Sequence, residues 1–264
     1  MLKKALFYSF FSNYFSFIVQ FISVLFVVRL LTPEEMGIFS IAASFILFAQ
    51  ALRDFGVSQY IVQEENLTGD RIRAAFSLGL IFGVILFVLT YSIASFAGEF
   101  YANTGIEKVL KVLSISFLLL PFGAISLAYL RRKMDFKARM IVESVSALVK
   151  SFIIILFAYN GFSYMSMAYG SLASVITIVI LSLYFRPKNL PKMPGLKELP
   201  HVFKIGWKLA MVEFLANMQE NITEIILGKT VGVQATGYFS RARATLNIFN
   251  MAISNALKPM ALPY

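Results

Sequence analysis

The stretch AFSLGLIFGVILFVLTYSIASFA, residues Ala75–Ala97, decides the fold class of this chain. It runs for 23 residues without a charged side chain. A helix needs about 20 mostly apolar residues to cross a bilayer. The stretch is too long and too uniformly apolar for a strand of a membrane barrel, which crosses in about 10 residues of alternating hydrophobicity. We therefore predict a membrane-spanning α-helix here.

Similar apolar runs recur along the chain, separated by short segments that hold most of the charge. Only 14% of the 264 residues are charged, against about 25% in soluble domains. The sequence therefore predicts an all-α polytopic membrane protein of about eight transmembrane helices. The other seven runs are Phe7–Leu31, Ile38–Val62, Val109–Leu130, Ile141–Tyr159, Tyr164–Phe185, Ile205–Leu227 and the weaker Tyr238–Leu257.

The basic residues are distributed unevenly between the two sides that these runs define. Fifteen fall on the side of the N-terminus and four on the opposite side. Basic residues concentrate in cytoplasmic loops of membrane proteins, so we predict a cytoplasmic N-terminus in a multi-pass protein of the bacterial inner membrane. The same rule accounts for the net charge of +10 without a nucleic-acid partner.

A candidate boundary lies at Arg186–Pro200, which reads RPKNLPKMPGLKELP. Its four prolines cannot continue a helix, and its basic residues place it in the cytoplasm. We predict an N-terminal lobe of six helices over residues 1–185 and a cytoplasmic linker over 186–204. The first two helices of a second lobe would follow over 205–264.

An internal repeat supports two related lobes. A shift of 200 residues aligns Gly37-Ile-Phe-Ser40 with Gly237-Tyr-Phe-Ser240. The same shift places Asn13 on Glu213 and Gln20 on Glu220, so polar positions inside apolar runs agree as well. Many transporters are built from such repeats and bind their substrate at the repeat interface.

Polar side chains inside the predicted helices mark candidate cavities, because they are costly in a membrane. They form strips on the first, second, seventh and eighth helices, which we predict to surround one hydrated cavity. Hydrogen bonds between packed helices are the alternative, and Arg53 could also extend to the cytoplasmic interface. The candidate substrate-binding residues are Asn13, Gln20, Arg53, Asp54, Glu213, Asn217, Glu220, Arg241 and Arg243.

Two acidic residues one helical turn apart are the candidate ion-coupling pair, Glu220 and Glu224. Both cannot ionise cheaply in a partly dry site, so one is expected to bind a proton or cation. Permanent neutralisation by arginines across the cavity is the alternative. In the fifth run Glu143 and Lys150 share a face, which favours a structural ion pair, with other helices as possible partners, over a substrate contact.

Sequence patterns typical of enzymes are missing. The chain has one histidine and no cysteine, and it carries no HExxH, GxSxG or phosphate-binding loop. We therefore expect no enzyme activity, no metal site and no cofactor.

Several motifs resemble one transporter family. Val28-Arg-Leu-Leu-Thr-Pro-Glu-Glu-Met-Gly37 and Arg53-Asp-Phe-Gly-Val57 look like the opening of the polysaccharide transporters in the multidrug/oligosaccharidyl-lipid/polysaccharide exporter superfamily. Within it, the O-antigen and exopolysaccharide flippases of the lipopolysaccharide exporter type are most similar. The stretches Gln219–Gly232 and Thr236–Ser240 resemble that family's seventh and eighth helices, where an aspartate is usual at the position of Glu224.

The resemblance implies two six-helix lobes that move an undecaprenyl-diphosphate-linked oligosaccharide across the membrane by alternating access. Its implied partners are this lipid-linked substrate and membrane lipids, with a polysaccharide polymerase and glycosyltransferases as further candidates. The chain ends after about eight predicted helices, which also allows a truncated product that does not transport. A cation-coupled drug exporter or a lipid II flippase of the same superfamily is the other alternative.

Overall fold

The structure is a computed structural model, which describes residues 2–54, 57–187, 190, 191 and 193–257. For residues 2–10, 12, 13, 51–54, 205, 209, 213, 216, 217, 220 and 248–257 it describes the backbone alone. In these ranges all regular structure is helical, so the predicted all-α fold is confirmed. The nine described helices are α1 (Leu2–Leu30), α2 (Pro33–Asp54), α3 (Val57–Gln63), α4 (Gly69–Phe100), α5 (Thr104–Arg132), α6 (Phe136–Tyr159), α7 (Met165–Tyr184), α8 (Leu199–Thr230) and α9 (Val233–Leu257).

Two predicted boundaries differ from the structure. The predicted second run, Ile38–Val62, is described as two helices, α2 and α3. The second boundary is the start of α8, which begins at Leu199, within the predicted linker over 186–204. Proline is well tolerated in the first turn of a helix, and Pro200 lies there.

Within the described residues, four helices are long and apolar enough to cross a membrane, namely α4, α5, α6 and α7. α1 contributes a shorter apolar segment, Tyr14–Leu30. Large apolar side chains face outward on these helices, and Phe96 and Phe152 are about two-thirds exposed. Such outward-facing surface fits lipid rather than water, so the chain is a multi-pass membrane protein.

The turns of the bundle gather at two opposite ends. At the first, which we call the glycine end, the turn after α1 lies near those that follow α4 and α6. Ser163 donates a hydrogen bond to Glu35 there, and the Tyr101 hydroxyl donates to the carbonyl of Ile225 over 3.0 Å. Thr32 and Glu35 also form a reciprocal capping box at the start of α2.

The opposite end, which we call the linker end, holds the turn after α3 and the segment between α7 and α8. Leu190 of that segment is buried in an apolar cluster with residues of α3, α4 and α5. The amide of Gly195 donates to the Ser77 hydroxyl over 2.9 Å. At the same end, Glu64 accepts a hydrogen bond from Arg71 over 2.6 Å and lies 4.0 Å from His201 of α8.

The repeat offset of 200 residues is visible in the helix boundaries. α1 ends at Leu30 and α8 at Thr230, while α2 begins at Pro33 and α9 at Val233. The two helix pairs therefore turn at equivalent positions. α2 and α9 pack against each other at the glycine end through Gly37 and Gly237.

Candidate functional site

A partly open cavity between the helices consists of two chambers that share Lys150 and Ser174. The α5 chamber, of about 390 Å³, is bounded by α2, α5, α6 and α7. The α1 chamber, of about 370 Å³, is bounded by α1, α2, α6, α7 and α9. Both volumes fall in the range of small-molecule binding sites, roughly 300–1,000 Å³.

A close helix crossing holds the cavity wall in place. Gly170 of α7 lies against α6, where a Cβ atom would stand 2.3 Å from Ile154 Cγ1 and 3.0 Å from the Lys150 carbonyl oxygen. Only glycine allows this approach, because any side chain would push the two helices apart. The backbone that carries Lys150 is therefore fixed by direct packing.

Lys150 is the one charged residue among the described residues that line either chamber. Its side chain is exposed and lines both chambers. Lys150 lies 14 residues from the start of α6 at Phe136 and nine from its end at Tyr159. A lysine near the middle of a membrane helix costs about 2.5–3.5 kcal/mol on insertion scales, so its position requires a compensating environment.

The predicted structural ion pair is formed by Glu143 and not, within the described side chains, by Lys150. Glu143 pairs instead with Arg139, one turn away, over 2.5 Å. No carboxylate among the described side chains lies within salt-bridge distance of the Lys150 ammonium. The cavity thus contains a cation without a described acidic partner.

Uncharged polar side chains supply much of the remaining wall. Gln20 of α1 and Gln50 of α2 line the α1 and α5 chambers respectively. Eight hydroxyl groups accompany them among the described lining residues, those of Ser16, Ser23, Ser116, Ser146, Ser151, Ser171, Ser174 and Ser240. Hydroxyl and amide groups can donate to an anion or bind sugar hydroxyls, so the wall suits a polar ligand.

The candidate ion-coupling residue Glu224 is part of a buried ion pair between α8 and α9. Arg243 Nη1 lies 2.6 Å and 2.7 Å from the two carboxylate oxygens of Glu224. The Glu224 side chain is 5% exposed and that of Arg243 26%. This geometry matches the alternative in which arginine neutralises the acid.

The Arg241 guanidinium makes contacts with other parts of the fold. Its guanidinium donates to the carbonyl of Leu31, just beyond the end of α1, and its Nε lies 3.0 Å from Met36 Sδ. Arginine near a helix C-terminus satisfies carbonyls that lack partners within the helix. Arg241 therefore joins α9 to the turn between α1 and α2.

The remaining candidate residues lie outside the described side chains, namely Asn13, Arg53, Asp54, Glu213, Asn217 and Glu220. Their roles stay predictions. The cavity differs in outline from the predicted one, because α6 and α7 line it and no described residue of α8 does. In the described part of the chain, no group of three or more His, Cys, Asp or Glu residues is placed to hold a metal ion.

Sequence reasoning did not select Lys150 as a site residue. The available signal was a lysine more than two turns from either end of the apolar run Ile141–Tyr159. A cation at that depth marks a pathway or binding site by default.

Comparison with known proteins places the chain in a family. A model of the polysaccharide biosynthesis protein family matches residues 26–264. The chain is 24% identical over 255 residues to the teichuronic acid biosynthesis protein TuaB of Bacillus subtilis, covering 93% of this chain and 51% of that protein. Identity is 20% to the lipopolysaccharide biosynthesis protein WzxC of Escherichia coli, covering 87% and 46%. It is 22% to the succinoglycan biosynthesis transport protein ExoT of Rhizobium meliloti, covering 94% and 50%.

The chain spans about half the length of these curated relatives. No solved structure gives a significant match. The family match covers most of the chain, so the resemblance drawn from the motifs is confirmed. The chain belongs to the family of polysaccharide biosynthesis proteins.

Proposed function

We propose that this member of the polysaccharide biosynthesis family acts as a flippase for lipid-linked oligosaccharides. Its substrate would be an undecaprenyl-diphosphate-linked oligosaccharide, moved from the cytoplasmic to the periplasmic leaflet of the bacterial inner membrane. The single observation that carries the proposal is a cavity between the helices whose described lining combines one cation with amide, hydroxyl and apolar side chains. A charged, sugar-bearing head group needs such a path, because its transfer through lipid without polar contacts is prohibitively costly.

The family supports polysaccharide chemistry in particular. Its relatives are named for three different polysaccharides, and ExoT is named a transport protein. If each of these proteins acts on an oligosaccharide while it is attached to its lipid carrier, one fold can serve different polysaccharides. A polysaccharide polymerase and glycosyltransferases are then the expected functional partners.

We infer an orientation with the linker end in the cytoplasm. Basic residues are concentrated there, including Arg71, Arg132, Arg139 and Lys197, and the positive-inside rule favours that side. Residues 1–185 and 205–264 would then belong to two lobes connected on the cytoplasmic side. The glycine end would face the periplasm.

Alternating access would require the two lobes to separate at one end at a time. α2 and α9 are in close contact at the glycine end, so this arrangement is closed toward the proposed periplasmic side. Release of substrate there would require α2 and α9 to part. A coupling role for Glu224 would likewise require its pair with Arg243 to open.

The test is export in a bacterial strain that lacks its own polysaccharide flippase. Expression of this chain should restore surface polysaccharide and remove the lipid-linked oligosaccharide that accumulates inside the cell. An unrelated membrane protein expressed at the same level is the control. Continued accumulation, with the chain present in the membrane at normal level, would refute the proposed activity.

A further inference from the structure

We propose that Lys150 anchors a binding site for the phosphate groups of a lipid-linked substrate, within the N-terminal lobe. The nature of the substrate rests on the proposed function. The site itself rests on the charge, position and surroundings of one side chain. Neither motif resemblance nor helical periodicity selects it.

The charge balance of the cavity calls for an anion. Lys150 is the only charged residue among the described lining residues. At 1.5 Å per residue, its Cα lies about 21 Å from one end of α6 and about 14 Å from the other. A bound anion would supply the counter-charge that the described side chains do not provide.

The other two described candidate cations are already in use. Arg243 pairs with Glu224, and Arg241 donates to the Leu31 carbonyl. Part of the donor capacity of each guanidinium, and in Arg243 also its charge, is therefore already committed. Lys150 has no such contact to lose within the described structure, which favours it as the resident phosphate ligand.

The size and lining of the cavity favour an amphipathic organic phosphate over a small inorganic ion. The two chambers together exceed the space that a chloride or phosphate ion needs. Each chamber is lined by both polar and apolar side chains, with Gln20, Ser151 and Val24 on the α1 chamber and Gln50, Phe39 and Leu172 on the α5 chamber. A ligand that carries both polar and apolar groups beside its anion fits this mixed lining.

The experiment measures binding of radiolabelled farnesyl diphosphate to the whole chain in lipid nanodiscs. The variants are Lys150→Met, which removes the charge at similar volume, Lys150→Arg, which keeps it, and Lys108→Met, an exposed lysine of α5 outside the cavity. We expect Lys150→Met to weaken binding at least tenfold. Lys150→Arg should stay within about threefold of the wild type, and Lys108→Met should bind as the wild type does. Gel filtration must show that the variants fold.

Two competitors show which part of the ligand the site recognises. Farnesol lacks phosphate and should not displace the label, whereas unlabelled farnesyl diphosphate should. If inorganic diphosphate competed as well as unlabelled farnesyl diphosphate does, the proposal that the ligand is lipid-linked would be wrong. Absence of binding by the wild type, binding by Lys150→Met within twofold of the wild type, or competition by farnesol would each overturn the site.

The outcome is separable from that of the export test. Lys150-dependent binding in a chain that does not restore export would refute the proposed flippase activity and leave the site standing. Restored export together with unchanged binding by Lys150→Met would refute the site alone.

Discussion

Gly37 and Gly237 each lie against the first turn of the other's helix. A Cβ atom on Gly37 would stand 2.0 Å from the Val233 carbonyl oxygen, and one on Gly237 would stand 1.6 Å from that of Pro33. These four positions form two pairs related by the 200-residue shift. The contact is therefore reciprocal, as expected where two repeats pack about an approximate two-fold axis. Glycine at both positions is what allows α2 and α9 to cross at backbone distance.

Replacement of Gly37 by alanine should destabilise the protein by about 1–3 kcal/mol, because a Cβ there would meet backbone that has little room to move. The control is Gly79→Ala in α4, where the new Cβ would lie an ordinary 3.6 Å from Pro121. Alanine in a helix is favoured over glycine by roughly 0.5–1 kcal/mol, so this variant should lose nothing. Thermal unfolding in detergent measures both. Equal stability of the two variants would contradict the proposed close crossing.

The proposed orientation predicts opposite accessibility for the two ends of the bundle. The chain has no cysteine, so single cysteines can be introduced directly. Asn160→Cys at the glycine end should react with an impermeant maleimide on intact cells. Lys133→Cys at the linker end should react only after the membrane is opened. Labelling of residue 133 but not residue 160 on intact cells would reverse the orientation.

Run length and repeat spacing predict much of this fold. The length of an apolar run predicts a membrane helix, because the bilayer thickness sets the minimum length of a helix that can cross it. The shift of 200 residues identified equivalent turns because repeats keep their helix boundaries, and α2 and α9 start 200 residues apart. The division between α2 and α3 was missed, although Arg53-Asp-Phe-Gly-Val57 places two charges and a glycine inside an apolar run.

The candidate site was less predictable, because periodicity gives the face of a helix and not the partner that faces it. Glu143 and Lys150 share a face, but seven residues separate their Cα atoms by about 10.5 Å along the axis. Arg139 is only four residues from Glu143 and forms the pair instead. Similarly, no pattern within α9 shows that Arg241 reaches a carbonyl at the end of α1.

Arg132 should stabilise the end of α3 through its guanidinium group. Nη1 donates to the carbonyls of Ile61 and Glu64 over 2.9 Å and 2.6 Å. Lysine cannot reproduce several donors in one plane, and a hydrogen bond from a charged group is worth about 1.5–3 kcal/mol. Arg132→Lys should therefore speed hydrogen exchange in α3, and Arg131→Lys, at an exposed neighbour, should not. Unchanged hydrogen exchange in Arg132→Lys would show that these guanidinium hydrogen bonds do not stabilise the end of α3.

The free energy of unfolding should fall at alkaline pH because of the ionisation of Tyr101, which lies in the turn between α4 and α5. Burial raises the pKa of Tyr101 to about 12 from its ordinary value of 10.0. The unfolded chain then loses this proton first, so the stabilisation is complete below pH 10 and declines as the pH rises toward 12.

Tyr101→Phe provides the comparison. At pH 7 it should be about 1 kcal/mol less stable, because it lacks the hydrogen bond to the Ile225 carbonyl. Between pH 10 and pH 12 the gap should shrink, since phenylalanine does not titrate. Thermal unfolding of both proteins across this range is the measurement, and a constant gap would contradict the assignment.

The last prediction concerns the energetic coupling of Glu224 and Arg243. Removal of one partner leaves the other charge buried without compensation, so Glu224→Ala and Arg243→Ala should each cost on the order of 3 kcal/mol. Removal of both avoids that penalty, so the double variant should be clearly more stable than the sum of the single effects implies.

The pair Arg139–Glu143 is a matched control, because it is equally short, at 2.5 Å, but its side chains are 35% and 40% exposed. Exposed pairs one turn apart contribute only about 0.3–0.5 kcal/mol, so its cycle should be nearly additive. Chemical unfolding in mixed micelles gives both coupling energies. Similar values for the two pairs would mean that burial does not strengthen the Glu224–Arg243 interaction.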